Sequence, residues 1–184
     1  MCDVIDIQEL NDPCSPNAGG CEDELFYALA SDFVSIPAAP ISETVLRNKF
    51  IITTAPVFKT GKAWKKIQAK SNSVKSDYEG GSNSGIKKGT LSFSIAGNNP
   101  DANALFNISD GNTPYVFLVK PNATSDSANP DYELLGSIKQ KAVLTAKYSS
   151  GEVTGDGAMY SFEAMCSQKF KVQYKAAIVL TPAA

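Results

Sequence analysis

The residues able to do chemistry are few and scattered. The chain of 184 residues has four cysteines, Cys2, Cys14, Cys21 and Cys166, and no histidine. Without imidazole it lacks the usual general base, proton shuttle and metal ligand of neutral pH. No CxxC pair occurs, so a zinc site would need thiolates and carboxylates alone. Free thiols are the plain reading, with a Cys14–Cys21 disulfide as an alternative once the chain leaves a reducing cell. Gly80-Gly81-Ser82-Asn83-Ser84-Gly85 has the composition of a phosphate loop, but Ile86-Lys87-Lys88 follows where a Lys-Ser/Thr pair is required. Asp110-Gly111-Asn112 and the run from Asp126 to Asp131 lack the terminal Glu and the spacing of a calcium loop. Asn107-Ile108-Ser109 and Asn122-Ala123-Thr124 match the glycosylation tripeptide, which matters only in a secreted protein. The carboxylate pairs Asp77 with Glu79 and Asp131 with Glu133 follow no pattern that would close them into a cleft. These residues point to no catalytic role, no metal and no cofactor, and so to a protein that is not an enzyme.

Charge is more informative than chemistry. The net charge of −2 and the 43% hydrophobic content are those of an ordinary globular chain, and they argue for neither a nucleic-acid binder nor an acidic tail. The signs are nevertheless blocked. From Met1 to Asp32 every charged side chain is acidic: Asp3, Asp6, Glu9, Asp12, Glu22, Asp23, Glu24 and Asp32. From Arg47 to Lys75 every one is basic: Arg47, Lys49, Lys59, Lys62, Lys65, Lys66, Lys70 and Lys75. Three readings stand side by side: ordinary surface charge, a basic stripe for nucleic acid, or two complementary surfaces that meet within a subunit or between copies. A head-to-tail contact between copies builds rings or open stacks. On that reading the inter-subunit contacts are Asp3, Asp6, Glu9, Asp12, Glu22, Asp23, Lys62, Lys65, Lys66, Lys70 and Lys75.

The elements that must carry these residues are mostly strands. From Ile138 to Tyr148 the residues Ala142, Leu144, Ala146 and Tyr148 fall on one face, and Lys139, Lys141, Thr145 and Lys147 on the other. From Ala158 to Cys166 the alternation returns, with Tyr160, Phe162, Ala164 and Cys166 against Met159, Ser161, Glu163 and Met165. A period of two marks half-buried strands, and Ser149-Ser150-Gly151 with Gly155-Asp156-Gly157 supplies the reversal between them. The face with Lys139, Lys141, Thr145, Lys147, Ser161 and Glu163 carries too many long polar side chains for burial in a monomer. That face is available to solvent or to a partner.

Elsewhere, Glu24–Ala30 reads as a strand apolar on both faces, with a short helix as its rival, and Lys49–Thr54 as a β-branched strand. Ala63–Val74 reads as an exposed strand, with a helical turn as its rival near Trp64. Thr90–Ala96 is a strand, and Pro114–Lys120 a central one. Asn99 as cap and Pro100 at the first position predict a helix with Ala102, Leu105 and Ile108 inward, closed by Gly111. Phe170–Leu180 continues an even-numbered apolar face after a bend near Ser167-Gln168-Lys169. Residues 1–22 read as an irregular arm and 70–89 as a long polar loop. No apolar run approaches a membrane span, and MCDVIDIQELNDPC reads as lacking a signal peptide. The product is therefore expected to stay in the compartment where it is made. The sum is a single, mainly β domain over 1–184: an antiparallel β-sandwich or barrel of seven or eight strands with one short flanking α-helix.

On these motifs the chain resembles the tail tube (major tail) proteins of long-tailed bacteriophages. Tyr132-Glu133-Leu134-Leu135-Gly136, the strand beginning Lys141-Ala142-Val143-Leu144, and the hairpin with Ser150-Gly151 and Asp156-Gly157 at its turn carry the likeness. Cys14-Ser15-Pro16-Asn17-Ala18-Gly19-Gly20-Cys21 is similar to the lead-in of tail proteins from phages of Bacteroidetes, although Cys21 replaces the Ile often found there. The resemblance implies homo-oligomerisation, with hexameric rings stacked into a tube, arms and loops making the contacts between rings, and the face bearing Lys139, Lys141, Thr145, Lys147, Ser161 and Glu163 meeting lumen or neighbour. It further implies association with other tail proteins, DNA passing without specific binding, no membrane partner, assembly in the host cytoplasm and residence in the virion tail. The tube of type VI secretion systems shares that fold. The alternatives are another β-sandwich virion component (a tail terminator, connector or decoration protein) and a soluble β-sandwich binding module.

Overall fold

The computed structural model describes residues 19–80, 85–122, 131–152 and 157–182. The strands are β1 (Cys21–Leu29), β2 (Phe33–Ser35), β3 (Ile51–Ile52), β4 (Val57–Phe58), β5 (Lys65–Gln68), β6 (Lys75–Gly80), β7 (Lys87–Ala96), β8 (Asp110–Pro121), β9 (Tyr132–Leu135), β10 (Ala142–Ser149), β11 (Met159–Gln168) and β12 (Val172–Tyr174), with one helix, α1 (Pro100–Ile108), between β7 and β8. The protein is mainly β, with a large, almost wholly antiparallel sheet and a single α-helix among the described residues. The expected sandwich or barrel class describes it.

β8 is the hub because it is apolar on both sides. Phe117 pairs with Tyr27 of β1 on one edge and with Leu135 of β9 on the other, while Tyr115 pairs with Leu29 and with Ala142 of β10. β9 and β10 therefore lie end to end along the same edge of β8. From β10 the sheet continues through β11 and β7 to β6, from β9 through β12 to β3, and from β1 to β5. Tyr115, Phe117 and Val119 face a core completed by Leu25, Ile67, Leu91, Phe93, Leu144 and Phe162. Val116 and Leu118 face a second core with Phe26, Trp64, Leu134 and Tyr174. Burying each such side chain stabilises by roughly 1.5–3 kcal/mol, so β1 and β8, used on both faces, hold the two cores together.

Several expectations hold as stated. Ala142 to Ser149 and Met159 to Gln168 form the hairpin in register, Leu144 opposite Ala164 and Ala146 opposite Phe162. Asn99 Oδ1 accepts the Ala102 N–H at 2.7 Å, and Pro100 opens the helix.

Others need correction. Among the described residues there are twelve strands rather than seven or eight, because several are two to four residues long. The stretch read as a polar loop, 70–89, contains β6 and the start of β7, paired from Lys75 opposite Ser92 to Gly80 opposite Lys87. Lys49–Thr54 is a 3-10 turn over Leu46–Phe50 followed by a two-residue strand. The even-face run to Leu180 pairs only over Val172–Tyr174, after which Val179 and Leu180 are exposed. Ser109 rather than Gly111 caps α1, its N–H returning to the Phe106 carbonyl, and Ile108, expected inward, is 48% exposed. Of the predicted arm, Cys21 and Glu22 belong to β1; residues 1–18 and the expected loop over 123–130 lie outside the described residues.

Candidate functional site: a polar sheet face between open edges

Strand alternation places one residue in two of β10, β11, β7 and β6 on the side away from the core. Directly opposed residues of an antiparallel ladder share a face, so the registers assemble that side row by row. Lys147, Ser161 and Ser94 form one row. Thr145, Glu163, Ser92 and Lys75 form the next, and Val143, Met165, Thr90 and Asp77 the one after; Ser167, Lys88 and Glu79 follow. Beneath them Leu144, Phe162, Ala164, Leu91 and Phe93 are buried, with the Phe93 and Phe162 rings stacked at 5.0 Å. The sequence pattern alone produces this division: apolar even positions in β10 and β11 meet apolar odd positions in β7.

Short hydroxyl side chains dominate the middle of the face. The Ser94 and Ser161 hydroxyls lie 3.5 Å apart, and the Thr145 hydroxyl donates to the Glu163 carbonyl at 3.2 Å. Its ionised side chains are Lys75, Lys88 and Lys147 against Asp77, Glu79 and Glu163, equal in number and opposite in sign. Lys75 and Asp77 pair at 2.7 Å. Such a surface has neither a positioned base nor a convergent acid, and it offers an anion as much repulsion as attraction. Among the described residues no group of three or more His, Cys, Asp or Glu side chains converges to hold a metal.

The two sides of this four-stranded face are edges. β6 pairs with β7 alone, and beyond Thr145 β10 has no ladder partner on its β8 side among the described residues. An unpaired strand edge is a template for another strand.

Of the residues expected here, Thr145, Lys147, Ser161 and Glu163 lie on this face. Lys139 does not: it sits in the turn between β9 and β10 and lines a groove on another side of the molecule. Lys141 is exposed immediately before β10. Thr90, Ser92, Ser94, Asp77 and Glu79 complete the face and were not assigned to it from sequence. The polar side of β7 was legible as alternation, but nothing in the chain said which strand would lie beside it.

No protein-family model, curated protein or solved structure matches this chain.

The charge blocks meet inside the subunit. β1 and β5 pair with Tyr27 opposite Lys65 and Glu24 opposite Gln68. Lys66 pairs with Glu24, Lys62 with Asp32 at 3.2 Å, and Glu22 with Lys120. Asp23 Oδ1 accepts the Asn72 N–H at 2.9 Å, and Lys65 lies 5.9 Å from the centre of the Tyr27 ring. Lys70 is exposed at the turn after β5, where its N–H donates to the Ser94 carbonyl at 2.7 Å. Lys66 with Glu24, across β5 and β1, is an exposed pair of the kind that stabilises by about 0–1 kcal/mol, whereas the Asp32 that Lys62 meets is buried. Asp3, Asp6, Glu9 and Asp12 lie outside the described residues. The paired carboxylates Asp131 and Glu133 are divided: Asp131 pairs with Lys175 at 2.9 Å, while the buried Glu133 pairs with Lys171 and accepts from the Ser76 hydroxyl at 2.7 Å.

Proposed function

We propose that this chain is a structural subunit that self-assembles into a tube of the phage-tail type, with the polar face of β6, β7, β11 and β10 turned toward a lumen through which DNA passes. The observation that carries the reading is the combination of that face with an unpaired edge on each side. A surface of short hydroxyls and balanced charge suits a conduit that must not retain phosphate, since lysine contacts are what give non-specific DNA affinity. The edge of β6 in one copy and the free end of β10 in the next are the pieces from which neighbouring sheets join, and a rotation that closes makes a ring. Of the motifs of the resemblance, the strand beginning Lys141-Ala142-Val143-Leu144 enters that face as β10 and Ser150-Gly151 follows its end, while Leu134-Leu135-Gly136 lies at the end of the neighbouring β9. In this role the chain is no enzyme, needs no cofactor, contacts other tail proteins and resides in the virion.

Negative-stain microscopy of the purified protein tests the reading. Rings or hollow tubes, lengthening with protein concentration, are the expected result. Dispersed monomers at every concentration and ionic strength would overturn it.

A further inference from the structure

The groove that Lys139 lines is separate from the sheet face. It has a volume of about 640 Å³ and runs from Leu134 and Val172 past the turns at 136–140 and 168–170 to residues 34–41. Val34, Ile41, Ile138 and Phe170 give it an apolar wall. Val34 is 61% and Ile41 57% exposed, an arrangement that marks a binding surface more than a solvated one. Lys139 and Lys169 are its only charged side chains among the described residues, and neither has a carboxylate there within ion-pair distance. Gln168, the buried amide of the lining, is already engaged. Its Oε1 accepts the Gly136 N–H at 3.1 Å and its Nε2 donates to the Phe170 carbonyl at 2.8 Å. The groove is left with room for apolar side chains and with two cations unmatched.

One stretch of the chain has the matching chemistry. Residues 3–12, DVIDIQELND, set Val4, Ile5, Ile7 and Leu10 among Asp3, Asp6, Glu9 and Asp12, with no lysine or arginine. The other internal segments outside the described residues do not have it. Residues 81–84 and 123–130 contain no Val, Ile, Leu, Met or aromatic side chain, and 153–156 joins β10 to β11 at the end of that hairpin away from the groove. We propose that residues 3–12 fold back into the groove of their own chain. Reach permits it. The chain enters the fold at Gly19, whose carbonyl accepts from Asn122 Nδ2 at 3.0 Å. Leu134, at the near end of the groove, lies opposite Leu118, itself opposite Phe26. That point is about 13 Å along β8 from Asn122 and about 12 Å aside, roughly 18 Å in all. The chain from Asp12 to Gly19 spans up to about 24 Å when extended, so Asp12 meets the near end unstrained and the residues before it run outward along the apolar wall. Tethering selects the chain's own segment over a neighbour's. A linker of this length presents it at an effective concentration on the order of millimolar, above that of any second subunit in dilute solution. Its carboxylates meet Lys139 and Lys169 at the rim, where opposite charge steers the docking. The contact covers the apolar wall in the isolated subunit and does not rest on the tube reading.

Amide hydrogen exchange of the full chain, read in dilute subunits by mass spectrometry, tests it. Residues 3–12 should exchange at least about tenfold more slowly in the wild type than in Ile41→Asp or Ile138→Asp, as for a segment released by loss of its docking contacts. Lys139→Glu with Lys169→Glu should weaken the protection as well. Ile41 and Ile138 are exposed at the groove, so circular dichroism should show an intact fold in each variant. The protection should not change as the protein is diluted, because an intramolecular contact carries its own effective concentration. A fluorescent peptide of residues 3–12 supplies a second arm. Wild-type chains should refuse it, while chains carrying Ile5→Asp with Ile7→Asp, whose own segment is released, should bind it saturably. Equal exchange in the wild type and both groove variants would overturn the proposal. So would protection that fades on dilution, which would put a second copy's segment in the groove, or a peptide bound equally by the two chains. A chain that never forms tubes would still show the protection.

Discussion

Cys166 shows how far a residue's chemistry is set by where its strand places it. Read as sequence it is one thiol among four; in the fold it is buried on the core side of β11, its Sγ donating to the Gln140 carbonyl at 3.2 Å. Burial pushes its pKa from an ordinary 9.0 up to about 11, since a thiolate in apolar surroundings loses its hydration. The unfolded chain then releases this proton near pH 9 and the folded chain only near 11. Between those values the unfolded state binds fewer protons, and stability falls as pH rises. Below pH 9 the thiol is protonated in both states and contributes no slope. Thermal melting temperatures should therefore drop across pH 9–11, and the drop should be shallower in Cys166→Ala, though not abolished, because burial also raises Cys21 and takes Tyr174 to about 12. An identical slope in the variant would remove Cys166 from the account.

At the scale of elements, the turn from β9 into β10 explains why a glycine closes Leu134-Leu135-Gly136. Gly136 has φ +94°, and a Cβ there would lie 2.9 Å from the Tyr115 carbonyl oxygen and 3.2 Å from the Ala142 nitrogen. Gly111 has a similar φ of +76° but open space around it. Gly111→Ala should cost the left-handed strain alone, about 1–2 kcal/mol. Gly136→Ala should cost that plus overpacking against backbone, about 1–3 kcal/mol more. Denaturant unfolding of the two variants measures the difference, and equal losses would show that the close approach to Tyr115 is not what demands glycine. Strands with clean alternation, β7, β10 and β11, were legible because their periodicity is local, and β8 because a doubly apolar run implies a central place. β6 was not. Its charged residues and terminal Gly80 have a loop's composition, and it becomes a strand only because β7 supplies a partner and Gly89 leaves room opposite Tyr78. The helix end was misread for a related reason: a glycine with positive φ served the start of β8 and not the cap.

At the scale of the whole molecule, alternation identified the polar side of the hairpin, but its extent depended on pairings between residues far apart in sequence. Glu163 gains Ser92 and Lys75 as neighbours only through β11–β7 and β7–β6 registers that no local pattern encodes. The same long-range pairing took the charge blocks, legible as runs of one sign, and joined them within a subunit through β1 and β5. In the proposed tube the balanced charge of the four-stranded face favours its placement toward the lumen, because an outward face has no reason to avoid net charge, whereas a DNA conduit does. Two placements make opposite predictions for Thr145→Cys and Ser94→Cys, both on the face, compared with Asn72→Cys at the exposed turn after β5. In free subunits all three thiols should react with a maleimide borne on a globular protein. In assembled tubes Asn72→Cys should still react, while the two face positions should be shielded from that reagent and open to a small maleimide. Labelling of Thr145→Cys by the bulky reagent in intact tubes would turn the face outward and overturn its placement toward the lumen.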